Sequence, residues 1–68
     1  MYQYCVNKVA QANGDNEVHK EGCAYMPLPQ NQHYLGYHSG CQGAVLAARV
    51  YYRRANGCAF CSPVCHTS

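Results

Sequence analysis

Six cysteines lie in a chain of 68 residues, and three of them crowd into its last eleven as Cys58-Ala59-Phe60-Cys61-Ser62-Pro63-Val64-Cys65-His66. A chain this short hides a smaller share of its surface on folding than a larger domain does. Its apolar burial therefore barely offsets the conformational entropy lost on ordering. Thiols at such density imply cross-links, either disulfides worth about 2–4 kcal/mol each or a bound metal. The length fits one small domain over residues 1–68, stabilised by metal or by disulfides.

Composition narrows the choice further. Seven tyrosines stand against one phenylalanine and no tryptophan. Tyrosine fills a shallow core with its ring while its hydroxyl reaches water. The net charge of +2 is too small for strong capture of nucleic acid, where roughly six to ten phosphate contacts are usual. Only Arg49, Arg53 and Arg54 form a local basic patch. No apolar run approaches the length needed to span a membrane. The start MYQYCVNKVAQ lacks the basic and apolar regions of a secretory leader. A cytoplasmic protein is the resulting expectation, with thiols kept reduced and available to metal. A mature secreted or periplasmic chain carrying an added Met1 would read the same, and there the cysteines would form disulfides.

Along the chain, Tyr2, Tyr4 and Val6 alternate with Gln3, Cys5 and Asn7, the period of a half-buried strand. Asn13-Gly14 marks a turn, and Glu17–Lys20 reads as the returning strand. Pro27 and Pro29 make an irregular loop, after which Tyr34–Tyr37 reads as another short strand flanked by His33 and His38. Ser39 and Gln42 fit a capping box. Cys41, Ala44, Val45, Ala48, Tyr51 or Tyr52, and Ala55 then recur at spacings of three and four, which predicts a helix over about residues 40–55. Gly57 suits its left-handed C′ position, and Arg53 and Arg54 complement the dipole near its end. The expected fold is α+β, a short antiparallel β-sheet or hairpin packed on one C-terminal helix, with Thr67-Ser68 as a frayed tail.

Cys58-x2-Cys61 is compatible with metal chelation, a redox dithiol or two separate disulfides. His19-x3-Cys23 supplies a second short pair at the end of a strand. Two such pairs, joined by a hairpin and a helix end, are how a small domain assembles a tetrahedral site. Zinc suits three thiolates and one imidazole, because it imposes no geometric preference of its own. The rival reading is three disulfides using all six cysteines, with 15 pairings open. Cys41, on the apolar face of the first helical turn, would then tie the helix to another segment, or else remain a buried thiol. The zinc set leaves Cys5 and Cys65 to pair or to stand alone, and other metal sets would draw on Cys65 or His66.

Three chemistries fit poorly. Cys61-x3-Cys65-His66 is one residue too long for c-type haem attachment and contains Pro63, so no haem is expected. A thioredoxin-like pair gains acidity from a helix N-terminus, whereas Cys58 and Cys61 follow a helix C-terminus. No serine–histidine–acid set stands out, and Asp15, Glu17 and Glu21 read as turn or surface charges.

Val18-His19-Lys20-Glu21-Gly22-Cys23, then a helix, then Gly57-Cys58-Ala59-Phe60-Cys61, resembles the small zinc-binding module of Ada-type DNA-repair proteins. It is more similar still to stand-alone bacterial modules with His-x3-Cys before the helix and Cys-x2-Cys after it. The resemblance implies zinc at His19, Cys23, Cys58 and Cys61. In the repair protein one zinc-bound thiolate also accepts a methyl group from DNA phosphotriesters. Here a histidine as first ligand lowers the charge of the site, and Ala59 and Phe60 stand where basic residues are expected.

The sequence thus points to a small zinc-stabilised binding or interaction module with no catalytic activity of its own. Its partner would be protein or nucleic acid, met through a helix face carrying Arg49, Arg53 and Arg54 and aided by exposed tyrosines. A secreted or periplasmic disulfide-stapled interaction domain is the main alternative. A zinc-thiolate alkyl-group acceptor is the third.

Overall fold

The computed structural model describes residues 1–67. Four strands form one sheet: β1 (Tyr2–Asn7), β2 (Asn16–Lys20), β3 (Gln32–His38) and β4 (Ala55–Gly57), in the order β3-β1-β2-β4. β1 pairs antiparallel with β2 and β3, whereas β4 pairs parallel with β2. A single helix α1 (Cys41–Arg49) links β3 to β4, and short 3₁₀ turns occupy Pro29–Asn31 and Pro63–Cys65. The α+β expectation holds, but the sheet is mixed and the helix is not C-terminal.

The β1–β2 hairpin follows from local chemistry. Gly14 takes φ +92°, and the Asp15 amide donates to Asn13 Oδ1 at 2.9 Å. That is the turn the Asn-Gly pair predicts. Alternation then sorts the side chains by face. Tyr4, Val6, Val18 and Ala55 form a core with Cys41, Ala44, Val45 and Ala48 of α1. Cys5 and His19, directly opposite in the β1–β2 register, lie on the other face with Glu17. One sheet face is thus roofed by the helix, and the other is left for chemistry. Between β1 and β3, Cys5 faces Tyr34 and Tyr4 faces Gly36, which leaves Leu35 as the extra residue of a bulge.

The helix is shorter than expected and its ends differ. Its buried stripe stops at Ala48, and Val50-Tyr51-Tyr52, poor helix formers, turn away behind it. Tyr51 is exposed and Tyr52 is half-buried beside the core. Residues from Ala55 gain more by pairing with the open edge of β2 than by another helical turn. At the start, Gly40 is the N-cap in extended conformation, with no side-chain cap, so the Ser39–Gln42 capping box is absent. Gly57 does not adopt the left-handed region. It is a strand residue where a Cβ would lie 2.7 Å from Cys65 Cβ and 2.9 Å from the Ser62 carbonyl oxygen. Glycine is required there by close approach. Thr67 is not frayed: its amide and hydroxyl donate to Asn56 Oδ1. Ser68 lies outside the described residues.

Candidate metal centre

His19, Cys23, Cys58 and Cys61 come together on the sheet face opposite the helix, with one ligand atom from each lying within 4.8 Å of all the others. Each reaches that point for a local reason. His19 is carried on β2 and is 1% exposed. Just after β2, Gly22 at φ +85° reverses the chain, and the Cys23 amide donates to the Lys20 carbonyl. The Cys58 amide donates to the Val18 carbonyl at 2.9 Å, extending the β2–β4 pairing by one bond and setting Cys58 beside His19. The Ser62 amide closes a turn onto the Cys58 carbonyl, which brings Cys61 back over the same spot.

The spacing matches metal coordination. A tetrahedral zinc–sulfur site with bonds near 2.3 Å has edges of about 3.8 Å. Cys23 Sγ and Cys58 Sγ are 3.9 Å apart, as are Cys61 Sγ and His19 Nδ1. The His19 ring is oriented from behind, because its Nε2 faces Glu17 Oε1 at 3.5 Å. A proton held on Nε2 by that carboxylate leaves the Nδ1 lone pair aimed at the sulfurs, the usual arrangement for a metal-bound histidine. Burial pushes the His19 imidazole below its ordinary pKa, with Glu17 opposing in part, which favours the neutral ligand form.

Two sulfurs also have backbone support. The Lys20 amide donates to Cys61 Sγ at 3.2 Å and the Tyr25 amide to Cys23 Sγ at 3.4 Å. Three thiolates around a dication leave one net negative charge, which such N–H donors stabilise. Cys58 is buried, whereas Cys23 and Cys61 are half-buried. Tyr25, two residues after Cys23, and Phe60, one residue before Cys61, stack at 4.2 Å between centroids. The arrangement can hold a metal ion.

The other cysteines divide. Cys41 and Cys65 form a disulfide on the helix side of the sheet, leaving Cys5, Cys23, Cys58 and Cys61 as thiols. The three-disulfide reading therefore fails, and so does a Cys5–Cys65 pair, because those two lie on opposite faces of the sheet. Cys5 lies next to the cluster without joining it. Burial, with Cys61 and Cys23 adding, pushes its thiol up to about 11. The protonated sulfur donates to Met26 Sδ at 3.3 Å, so Cys5 behaves as a small apolar side chain. His66 Nδ1 lies 3.0 Å from the Gly57 carbonyl oxygen and is not one of the four clustered residues.

Arg49, Arg53 and Arg54 stay together, but not along one helix face, since Arg53 and Arg54 follow the helix. They line one cleft together with Asp15, and Arg54 contacts its carboxylate through Nε and Nη2. Sequence reasoning missed Glu17, Met26 and the Tyr25–Phe60 stack. Glu17 was legible, because a carboxylate two residues from a strand histidine shares its face. The stack depends on where two separate turns meet, and no pattern in the chain announces it. Among the described residues no helix is long and apolar enough to cross a membrane. A scan of protein-family models and searches of curated proteins and of solved structures find no match to this chain.

Proposed function

We propose that this chain is a zinc-stabilised binding module in which His19, Cys23, Cys58 and Cys61 hold the ion and the metal serves the fold. The observation that carries this is the convergence of four ligand atoms from two distant segments to within 4.8 Å. Three sulfurs and one imidazole at tetrahedral spacing, with a carboxylate behind the histidine, suit zinc better than the oxygen-seeking cations. The two ligand pairs, His19 with Cys23 and Cys58 with Cys61, join β2 to the chain beyond β4, so bound metal locks a sheet edge to which β4 contributes only three strand residues.

Native mass spectrometry of protein purified without chelator tests the proposal. One zinc ion per chain, lost together with fixed structure on chelation, supports it. A metal-free chain with unchanged structure sinks it. The alkyl-acceptor reading draws less support. The two half-buried sulfurs, of Cys23 and Cys61, each accept a backbone N–H, and a histidine replaces a fourth thiolate, both of which lower nucleophilicity.

A second reading concerns compartment. The Cys41–Cys65 bridge favours an oxidising environment over the expected cytoplasm. In such an environment Cys23 and Cys58, with sulfurs 3.9 Å apart, stay reduced only if something occupies them, and bound metal would do so. The module is then an extracytoplasmic interaction domain with a disulfide on one sheet face and a metal on the other. Thiol titration of chelated, non-reduced protein checks this. Four reactive thiols fit, whereas six exclude the bridge.

A further inference from the structure

Two clefts lie side by side against α1. The first, of about 190 Å³, is lined by Asp15, Arg49, Arg53, Arg54, Asn56 and Thr67 among others. The second, of about 280 Å³, has Val45, Leu46, Val64 and Cys65 on its walls. Arg49 and Thr67 border both, so the two make one groove with a cationic end and an aliphatic end.

The cationic end concentrates the charge of the chain. Three arginines against Asp15 leave two positive charges there, equal to the formal net charge of the whole protein, since Lys8 and Lys20 are offset by Glu17 and Glu21. Asp15 is not a competing anion on the surface. Its Oδ1 accepts from Arg54 Nε and Nη2, each at 3.1 Å, and its Oδ2 accepts from Asn56 Nδ2 at 3.2 Å. The carboxylate acts as a strut that orients Arg54. Arg49 is pinned in turn by a bond from its Nε to the Ala55 carbonyl at 3.3 Å. Guanidinium groups held in place by one edge offer their remaining N–H donors at a reduced entropy cost. At the aliphatic end, Leu46 is 67% and Val64 80% exposed, and both line the same cleft.

We propose that this groove binds a segment of a partner protein in which an aspartate or glutamate carboxylate lies next to an aliphatic side chain. The carboxylate accepts from the remaining N–H groups of Arg49, with Arg53 adding positive charge from the same cleft, and the aliphatic side chain packs between Leu46 and Val64. Nucleic acid would satisfy the cationic end alone. Among the described residues no aromatic side chain lines the groove to stack a base, and the aliphatic wall would remain wet. The Cys41–Cys65 bridge ties the Pro63–Cys65 wall to α1, and none of His19, Cys23, Cys58 and Cys61 lines the groove. The inference rests on the proposed function only in taking the chain for a binding module.

The test is an NMR titration of the intact, non-reduced protein with a synthetic peptide of alternating aspartate and leucine, and separately with oligothymidylate. Saturable shifts at Arg49, Arg53, Leu46 and Val64 on adding peptide are expected. Arg53→Glu and Leu46→Ser, both at exposed positions, should each weaken binding by about tenfold or more. Absence of saturable shifts, oligothymidylate binding in the groove in preference to peptide, or variants that bind like the parent would overturn the proposal. Zinc is measured in the same samples. Zinc-free protein that binds peptide refutes the metal and keeps the groove, and zinc-loaded protein that ignores peptide does the reverse.

Discussion

Replacing Glu17 separates a metal-bound His19 from one that is merely buried. Glu17 touches none of the sulfurs; it acts only through His19 Nε2, at 3.5 Å. Outer partners of this kind typically change metal affinity by about 10- to 100-fold when removed. Glu17 is 25% exposed and its contact is long, so the lower end applies. Glu17→Ala should weaken zinc binding by about tenfold, or ~1.4 kcal/mol. Glu17→Gln keeps an acceptor for the Nε2 proton but loses the charge, and should fall between Ala and the parent. Competition against a chromophoric zinc chelator measures all three proteins, with circular dichroism confirming that each is folded. If both variants hold zinc as tightly as the parent, the carboxylate does not orient a ligand. A loss far beyond about 100-fold would contradict the account from the other side, because Glu17 would then be a ligand itself.

Three further outcomes follow from the same geometry. Replacing Cys41 and Cys65 together by alanine opens a link across a sequence separation of 24, which chain entropy values at about 3.5 kcal/mol. Urea denaturation should show that loss, while the zinc content stays at one per chain. Gly57→Ala puts a methyl group 2.7–2.9 Å from Cys65 and from the Ser62 backbone, and should cost about 1–3 kcal/mol in the same assay. Acidification should release the metal and then unfold the chain. Protons compete for the thiolates, and His19, lowered in the fold by burial, charges more readily in the unfolded state. Stability is therefore full above the ordinary histidine pKa of about 6.5 and declines as pH falls below it, which a pH series of melting curves will follow.

Local pattern made much of the fold readable. Alternation in Tyr2–Asn7, the Asn13-Gly14 turn and the Cys41–Ala48 stripe each report a nearest-neighbour preference, and each became the element it implied. The stretch after Ala48 did not, because its apolar spacing continues the helical period while its conformation is decided by a distant partner. Ala55–Gly57 pairs with β2, and the sheet edge that draws it there is formed by residues some 40 positions earlier. The same non-locality hid the disulfide. Cys41 was legible as an anchor, but its partner depends on how closely the tail passes over Gly57, where the missing side chain makes room for Cys65. The four cluster residues could be picked out because metal ligands come in short pairs, His-x3-Cys and Cys-x2-Cys, whose spacing survives whatever the intervening chain does.

The most direct test of the central claim is zinc K-edge X-ray absorption on the loaded protein. Zinc held by His19, Cys23, Cys58 and Cys61 should show a first shell of three sulfurs at about 2.3 Å and one nitrogen at about 2.0 Å. A shell of four sulfurs would put Cys5 in the place of His19, and a shell rich in oxygen would mean that the cluster is not the metal site at all.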